Sequence, residues 1–562
     1  MWIVEIALLV VMIIVAGRLL GNRIHNMLNF YAHNSSTCCN RVISRMSLGS
    51  YEWQNQNWRE YLSAMFALNL MAILVCVLAL MYQSLLPLNF HLFTGIDFPQ
   101  ALNIAISCIT TTNWQNYSGE NALTPFIQTL IMPWMGFIGA ASGVCLAVAF
   151  MRGLVNNKTA IDGRILGNYW YDMIATVFYI LLPICFVLSL VFIWQGVPQQ
   201  LPSPYLQIAT LEGTRQIIPT GLVASQEAIK LFGVNGGGIF SASSAHPFEN
   251  PTPFSNFIQI VAMTAIGCGL WFTFGHINNN MKQSWMVITA IMIIIALCFT
   301  GNYLAEMRNI GELVEGINVT DGNFEGKEVR FGLPMTSAYS IMSCSTSGSA
   351  NSVYDSFTPI GGMFLLLDLL LGGVLFGGNG DGFTAMLMFV ILAVFISGLI
   401  VGKSPEYLGK KITPTDIRLL MLYTIFFQCS IMILSVVSVY HKLSILLPEN
   451  PSHQITEIIY ALTTSVVNNG TSFSGLEVKE TWLYHTLSAL MFIGRYALFG
   501  LALYISHSFI GREVGRYSGK SIRPEKPIFI FVLLFTIFNS ALVFIPMLML
   551  GPIAELTTFI DR

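Results

Sequence analysis

The chain has 562 residues, 54% of them apolar and 10% charged, with a formal net charge of −2. An ordinary soluble protein carries about 25% charged residues, so this composition excludes a soluble globular chain, and the near-neutral balance gives no basic footprint for nucleic acid. At roughly 20 residues per spanning helix, the apolar sequence supplies about ten helices and leaves no room for a large soluble domain.

In chain order, apolar stretches of spanning length run at 2–20, 62–88, 128–151, 171–194, 256–275, 284–304, 361–402, 417–445, 481–507 and 527–551. The first, within MWIVEIALLVVMIIVAGRLLGN, lacks a positive leading region and a small-residue cleavage site, so it reads as a retained helix. Ten cysteines, at positions 38, 39, 76, 108, 145, 185, 268, 298, 344 and 429, fall mostly inside apolar runs and read as small apolar filler.

Alternating helices place one set of connections on a single side. That set holds Arg23, Arg41, Arg45 and Arg59; Arg152, Lys158 and Arg164; Lys282; Lys403, Lys410, Lys411 and Arg418; and Arg512, Arg516, Lys520, Arg523 and Lys526. These are 17 of the 27 basic residues, so that side is expected to be cytoplasmic and both termini to face out. A missed or invented helix would switch the later loops and erase the bias.

The opposite connections, 89–127, 195–255, 305–360 and 446–480, have another texture. Each holds a short helix-compatible piece and then a polar, small-residue stretch: IAISCITTTNWQNYSGE, SQEAIKLFGVNGGGIFSASSAHPFENP, SAYSIMSCSTSGSANSVYDSFTPIGG and EIIYALTTSVVNNGTSFSGL. The polar cores near 112, 236, 348 and 469 are separated by 124, 112 and 121 residues. The chain therefore reads as an all-α polytopic membrane protein with ten transmembrane helices. Four units of helix, re-entrant loop, helix span 60–152, 170–276, 284–403 and 417–508, with one extra helix before them at 1–22 and one after at 526–552.

Polar, glycine-containing backbone between two spanning helices cannot face lipid and must be buried or line a watery path. Four such segments can ring one axis and point carbonyl oxygens inward to replace a cation's hydration shell. The side chains suit that chemistry: Thr110, Thr111, Thr112, Asn113 and Gln115 in the first loop; Asn235, Gly236, Gly237 and Gly238 in the second; Ser345, Thr346, Ser347, Gly348 and Ser349 in the third; Thr464, Ser465, Val467, Asn468, Asn469 and Gly470 in the fourth. Neutral oxygens dominate, which fits potassium rather than a strongly held divalent ion. Gly236, Gly348 and Gly470 stand at comparable points, where a Cβ would oppose positive φ or close approach. The first loop has no glycine before Gly119, so the ring is expected to be only pseudo-fourfold.

These residues resemble the potassium-binding subunit family of Kdp-type potassium-transporting ATPases over essentially the whole chain. The specific strings are TNWQNYSGE at 112–120, NGGG at 235–238, SAHPFENPTP at 244–253, GKSPEYLGKKI at 402–412 and NNGTSFSGL at 468–476. The resemblance implies a four-unit potassium transporter of the bacterial inner membrane. It also implies a P-type ATPase catalytic subunit and small accessory membrane subunits as partners, and potassium as substrate with no cofactor. The family's third loop carries Ser-Cys-Gly where Thr346, Ser347 and Gly348 stand, and its fourth carries three asparagines where Val467, Asn468 and Asn469 stand. Backbone carbonyls survive both changes.

Two further features lie in apolar sequence. Arg495, within LSALMFIGRYALFGLAL, is a mid-membrane cation that either faces a cavity or is structurally paired. By the resemblance, a basic residue of the last repeat lies below the filter. Asp368 is another charge embedded in apolar sequence and a candidate partner, since a pair would answer both burial costs. The 361–402 run is too long for one span and breaks at FGGNGDGF, 376–383. Gly377, Gly378, Asn379 and Gly380 form either a candidate gate beneath the filter or a surface turn between half-helices. The acidic stretch with Glu306, Glu312, Glu315, Asp321, Glu325 and Glu328 alternates with Arg308, Lys327 and Arg330 and reads as a mixed solvated loop.

GLIVGKS at 398–404 has three residues between its glycines where a phosphate loop needs four, and no DKTGT phosphorylation sequence occurs. The chain is not expected to hydrolyse ATP by itself. The competing readings are a stand-alone potassium symporter or channel of the same fold, and a membrane enzyme, for which nine scattered histidines offer no cluster.

Overall fold

A computed structural model describes residues 2–33, 55–90, 92–155, 165–200, 206–209, 211, 213–218, 221–240, 242–308, 322–402, 404–442, 451–476, 481–512 and 524–560. Cys38, Cys39, Arg41, Arg45, Lys158, Arg164, Glu312, Glu315, Asp321, Lys403, Arg516, Lys520 and Arg523 lie outside the described residues.

The helices are α1 (Trp2–His33), α2 (Trp58–Met81), α3 (Phe98–Ile109), α4 (Ile127–Val155), α5 (Tyr169–Trp194), α6 (Val223–Phe232), α7 (Pro253–Ile277), α8 (Met281–Met307), α9 (Gly332–Ser345), α10 (Pro359–Gly372), α11 (Asp381–Val401), α12 (Pro414–Lys442), α13 (Pro451–Val467), α14 (Thr481–Phe509) and α15 (Ile528–Thr557). Ten of the described helices are long and apolar enough to span, with α11 as the seventh. The short helices α3, α6, α9 and α13 sit between consecutive spans, one in each repeat.

Local chemistry sets the ends. Asn57 accepts from the amides of Arg59 and Glu60 while the Glu60 carboxylate answers the Asn57 amide, so α2 starts on a reciprocal cap. Thr252 and Ser255 do the same for α7. The π-helical stretches Ile127–Ile131 and Thr176–Leu181 each run into a proline, Pro133 or Pro183. Its missing N–H and its ring displace the ordinary ladder.

α4, α7 and α11 are enclosed by protein, whereas α1, α5, α12 and α15 turn much of their apolar surface outward, as lipid-facing helices must. The extra helix α1 lies along α7 because both backbones are bare where they touch. A Cβ on Gly21 would stand 2.6 Å from Cβ of Phe272, and Gly17 packs on Cys268.

The seventh expected span is two helices, α10 and α11, separated by residues 373–380. Two small hairpins depart from the all-helical expectation: β1 (Leu206–Ala209) with β2 (Arg215–Ile218), and β3 (Glu406–Tyr407) with β4 (Lys410–Lys411). Both lie in connections, where paired strands satisfy backbone that helices cannot. The acidic stretch is not a uniformly solvated loop. Glu306 is fully buried, pairs with Lys327 at 3.0 Å and accepts from the Thr358 amide and hydroxyl at 2.9 and 2.8 Å, because it braces the start of α10. Glu325, Arg308 and Arg330 are exposed as expected. The described cysteines are all free, and all but Cys429 are buried.

Candidate ion filter

Three of the four short helices end on a common turn. The Thr112 amide donates to the Ser107 carbonyl, Asn235 to Lys230, and Asn469 to Thr464, at 3.0, 2.7 and 3.0 Å. One residue earlier, Thr111, Val234 and Asn468 share left-handed φ values of 57°, 46° and 54°. One residue later come Asn113, Gly236 and Gly470. The first loop's glycine position is therefore Asn113, at φ 44°, a conformation that asparagine tolerates better than most side chains.

The four strands meet edge to edge. A Cβ on Gly236 would lie 2.7 Å from Cα of Gly348, and one on Gly348 would lie 2.5 Å from the Asn469 carbonyl and 2.6 Å from Cα of Gly470. One on Gly470, whose φ is 101°, would run into the Thr112 carbonyl. The ring closes where Asn113 Nδ2 donates to the Gly236 carbonyl at 2.6 Å. Glycine is thus needed at Gly236 and Gly348 for close approach, and at Gly470 for both close approach and φ.

Side chains tie each strand to the next. Gln115 donates to the Gly238 carbonyl at 2.9 Å and accepts from the Gly238 amide at 3.1 Å, joining loops one and two. The Ser244 and Ser349 hydroxyls, 2.6 Å apart, join two and three. Asn469 Nδ2 donates to the carbonyls of Ser343 and Cys344 at 2.8 and 2.9 Å, joining three and four. Asn468 Nδ2 reaches Thr112 Oγ1 at 3.0 Å and returns to the first. Thr346 Oγ1 bonds back to the Met342 carbonyl at 2.6 Å, and Ser347 Oγ lies 3.5 Å from Met263 Sδ. Among the described residues, Asn235 Oδ1 is buried without a hydrogen-bond partner. Above the ring a vestibule is bordered by Asn113, Gln115, Gly237, Ser352, Tyr354 and Ser474, and none of the described residues that line it is charged.

A buried ionic triad braces the second strand, a device that sequence reasoning missed. Lys230 Nζ lies between Glu227 and Glu249 at 2.5 and 2.9 Å, and Glu249 Oε1 accepts from the amides of Ile239 and Phe240 at 2.9 and 3.3 Å. Burial raises the Glu249 carboxyl above its ordinary range and the Lys230 ammonium opposes that rise. The signal lay in SQEAIK and HPFENP, whose charges stand in otherwise neutral sequence. Glu249→Gln retains the shape but weakens a charge-assisted bond, for which about 1.5–3 kcal/mol is typical. A lowered thermal midpoint and an altered potassium-to-rubidium preference are expected. Unchanged melting and selectivity would show that the carboxylate does not brace the strand.

Beneath the ring lies Arg495, buried, with hydrogen bonds at both Nη1 and Nη2. Nη1 donates to the Thr110 carbonyl at 2.6 Å, to Asp381 Oδ2 at 3.0 Å and to the Thr111 hydroxyl, while Nη2 reaches the Gly139 carbonyl at 2.8 Å. Its ionic partner is Asp381 rather than Asp368. Asp368 lies behind α9 and accepts from Ser345 Oγ at 2.7 Å. A sequence gives no azimuth for two charges on different helices, and the broken helix puts the first residue of α11 under the pore.

The break itself is buried, which removes the surface-turn reading. The Gly377 amide donates to the Ser345 carbonyl at 2.8 Å; Asn379 Nδ2 bonds to the Gly233 carbonyl. Gly377 and Gly380 have φ of 55° and 121°, and Gly380 packs against the Gly143 carbonyl. A Cβ on Gly378 would lie 3.8 Å from Thr111 Oγ1. Residues 373–380 therefore form a floor touching the first, second and third filter segments. Beside it, Gly373, Val374, Asp381, Val467, Asn468 and Arg495 border a cavity between the break, α12 and α14.

Comparison with known proteins agrees with this architecture. The potassium transporter TrkH from Vibrio parahaemolyticus superposes with a TM-score of 0.53 at 14% identity, covering 89% of this chain and 98% of that one, which shows a shared fold. A potassium-transporting ATPase potassium-binding subunit from Rhizobium rhizogenes is 40% identical over 510 residues, 90% of this chain and 89% of its own. Its counterpart from Francisella tularensis subsp. holarctica is 37% identical over 521 residues, covering 90% of each. The family model for the potassium-transporting ATPase A subunit, KdpA, matches residues 6–557, and the chain accordingly belongs to that family.

Proposed function

We propose that this chain is the potassium-binding and selecting subunit of an ATP-driven uptake pump, and that its selection is done by backbone oxygens of the four-strand ring. The carrying observation is the close approach of Gly236 to Gly348, of Gly348 to Gly470 and of Gly470 to Thr112, from four separate loops, closed by the bond from Asn113 to Gly236. Such a ring lets carbonyl dipoles replace the water around a dehydrated monovalent cation. The cross-loop bonds of Asn113, Gln115, Asn468 and Asn469 hold the ring's diameter, so those residues act through geometry. Thr111, Asn235, Gly237, Thr346 and Ser347 complete the strands.

In this reading Arg495 opposes a straight exit below the ring, and Gly377, Gly378, Asn379 and Gly380 form the floor that diverts the ion. Asp368 supports α9 from behind. The cavity bordered by α12 supports a sideways route toward a P-type ATPase catalytic subunit, which hydrolyses ATP, with small accessory membrane subunits completing the complex. Potassium is cargo, and no cofactor takes part. The Lys/Arg distribution supports an inner membrane placement with both termini outside.

Tagged chain expressed with its native neighbours is expected to retain a P-type ATPase through purification and to show potassium-stimulated ATP hydrolysis. A single purified chain that concentrates potassium in vesicles without ATP would instead establish the symporter reading.

A further inference from the structure

Away from the ring, the turn at Tyr354–Ser356, the first two turns of α13 and the end of the C-terminal helix bring four ionisable side chains together. His453 Nε2 lies 3.1 Å from Asp355 Oδ1 and 3.8 Å from Glu457 Oε1. One donor atom from each of the three lies within 4.8 Å of the others. On its opposite edge, His453 Nδ1 stands 2.8 Å from Glu555 Oε1, and Thr456 Oγ1 donates to Glu555 Oε2 at 3.0 Å.

We propose that Asp355, His453 and Glu457 form a binding site for a first-row divalent cation such as Zn²⁺, with Glu555 as the residue that orients the imidazole. A metal-bound histidine ordinarily donates its other ring N–H to a carboxylate, which fixes the tautomer. Glu555 occupies that place and turns the Nε2 lone pair toward the space between Asp355 and Glu457. With metal–ligand bonds of about 2.0–2.2 Å, neighbouring donors in a tetrahedron stand about 3.3–3.6 Å apart. The separations of 3.1 and 3.8 Å bracket that edge.

Close approach and access agree. The bare backbone of Gly475 packs against both carboxylates, since a Cβ there would stand 3.0 Å from Asp355 Oδ2 and would press on Glu457 Oε1. Glu457 is buried, while His453 and Asp355 are each about one quarter exposed. The open side leaves the fourth position to water. One imidazole with two carboxylates suits zinc and its first-row neighbours better than magnesium or calcium, which prefer all-oxygen shells. The occupant would join the third repeat to the fourth, with the C-terminal helix behind them. It would lie against the strand that continues from Gly470 to Gly475, and so brace the wall of the outer mouth.

The test uses the full chain purified with its co-purifying subunits, stripped with chelator and dialysed against micromolar ZnCl₂ with millimolar MgCl₂ present. Bound zinc is counted and the thermal midpoint recorded. The wild type is expected to hold one more zinc per chain than Asp355→Asn or His453→Gln and to melt higher when loaded. Glu555→Gln is expected to weaken binding about tenfold, the lower end of the range for orienting partners. Counting by difference removes zinc held elsewhere, by cysteines included. Equal zinc content in wild type and Asp355→Asn overturns the site and leaves a protonated His453 as the link among the carboxylates. Asp355 is partly exposed, so that variant keeps the test decisive even if His453→Gln fails to fold.

Discussion

Gly470→Ala is expected to lower apparent potassium affinity by at least about tenfold, the equivalent of 1.4 kcal/mol. Two costs act together at this position. Its φ of 101° is one that an L side chain rarely adopts, and the new Cβ would meet the Thr112 carbonyl in the first loop. A left-handed non-glycine residue alone costs about 1–2 kcal/mol. The displaced carbonyl belongs to the neighbouring strand, so the ring must open or rotate. Gly236→Val should act in the same direction through the Gly348 backbone and should relax discrimination among potassium, rubidium and sodium. The measurement is cation-dependent ATP hydrolysis of the purified complex. Wild-type affinities for all three ions in both variants would refute a backbone filter at this ring.

Arg495→Gln is expected to lower the unfolding free energy by about 3–5 kcal/mol, the usual result of leaving one member of a buried pair alone. Asp381 would lose its cation, and the carbonyls of Thr110 and Gly139 would lose donors. Adding Asp381→Asn should recover much of the stability, because no uncompensated charge remains. Function should not recover with it. The double variant still lacks positive charge under the filter and is expected to pass potassium without stoichiometric ATP consumption. Melting of the detergent-purified complex and flux in vesicles separate the two effects. Tight coupling in a stable double variant would assign Arg495 to structure alone.

Much of the frame was legible because the bilayer imposes a strong one-dimensional code. Ten apolar runs, basic residues in alternate connections and four polar inserts specify spans and repeats without reference to packing. An interruption of this run was legible for the same reason, since FGGNGDGF at 376–383 reads as non-helical backbone that membrane depth tolerates only when buried, but the break lies three residues earlier, at 373–380, and Asp381, Gly382 and Phe383 already belong to α11. Side-chain purpose was less legible. Gln115 and Asn113 have the oxygens of cation ligands, yet their amides brace the second strand. Glu306 sits among exposed charges in sequence and is buried in space. Hydrogen-bond chemistry is symmetrical between ion and backbone, so composition alone cannot assign it.

By itself, then, the sequence determined the membrane class, the helix count, the four inserts and the expense of a buried Arg495. Only the tertiary structure decided that Asn113 holds the glycine position of the first strand, that Asp381 neutralises Arg495, and that Lys230 with two glutamates grips the second strand. Periodicity and hydropathy are properties of neighbours along the chain. The turn at Asn113 and the Lys230 triad depend on how each loop folds back on its own short helix, and the Arg495–Asp381 pair depends on which repeats face one another across an axis.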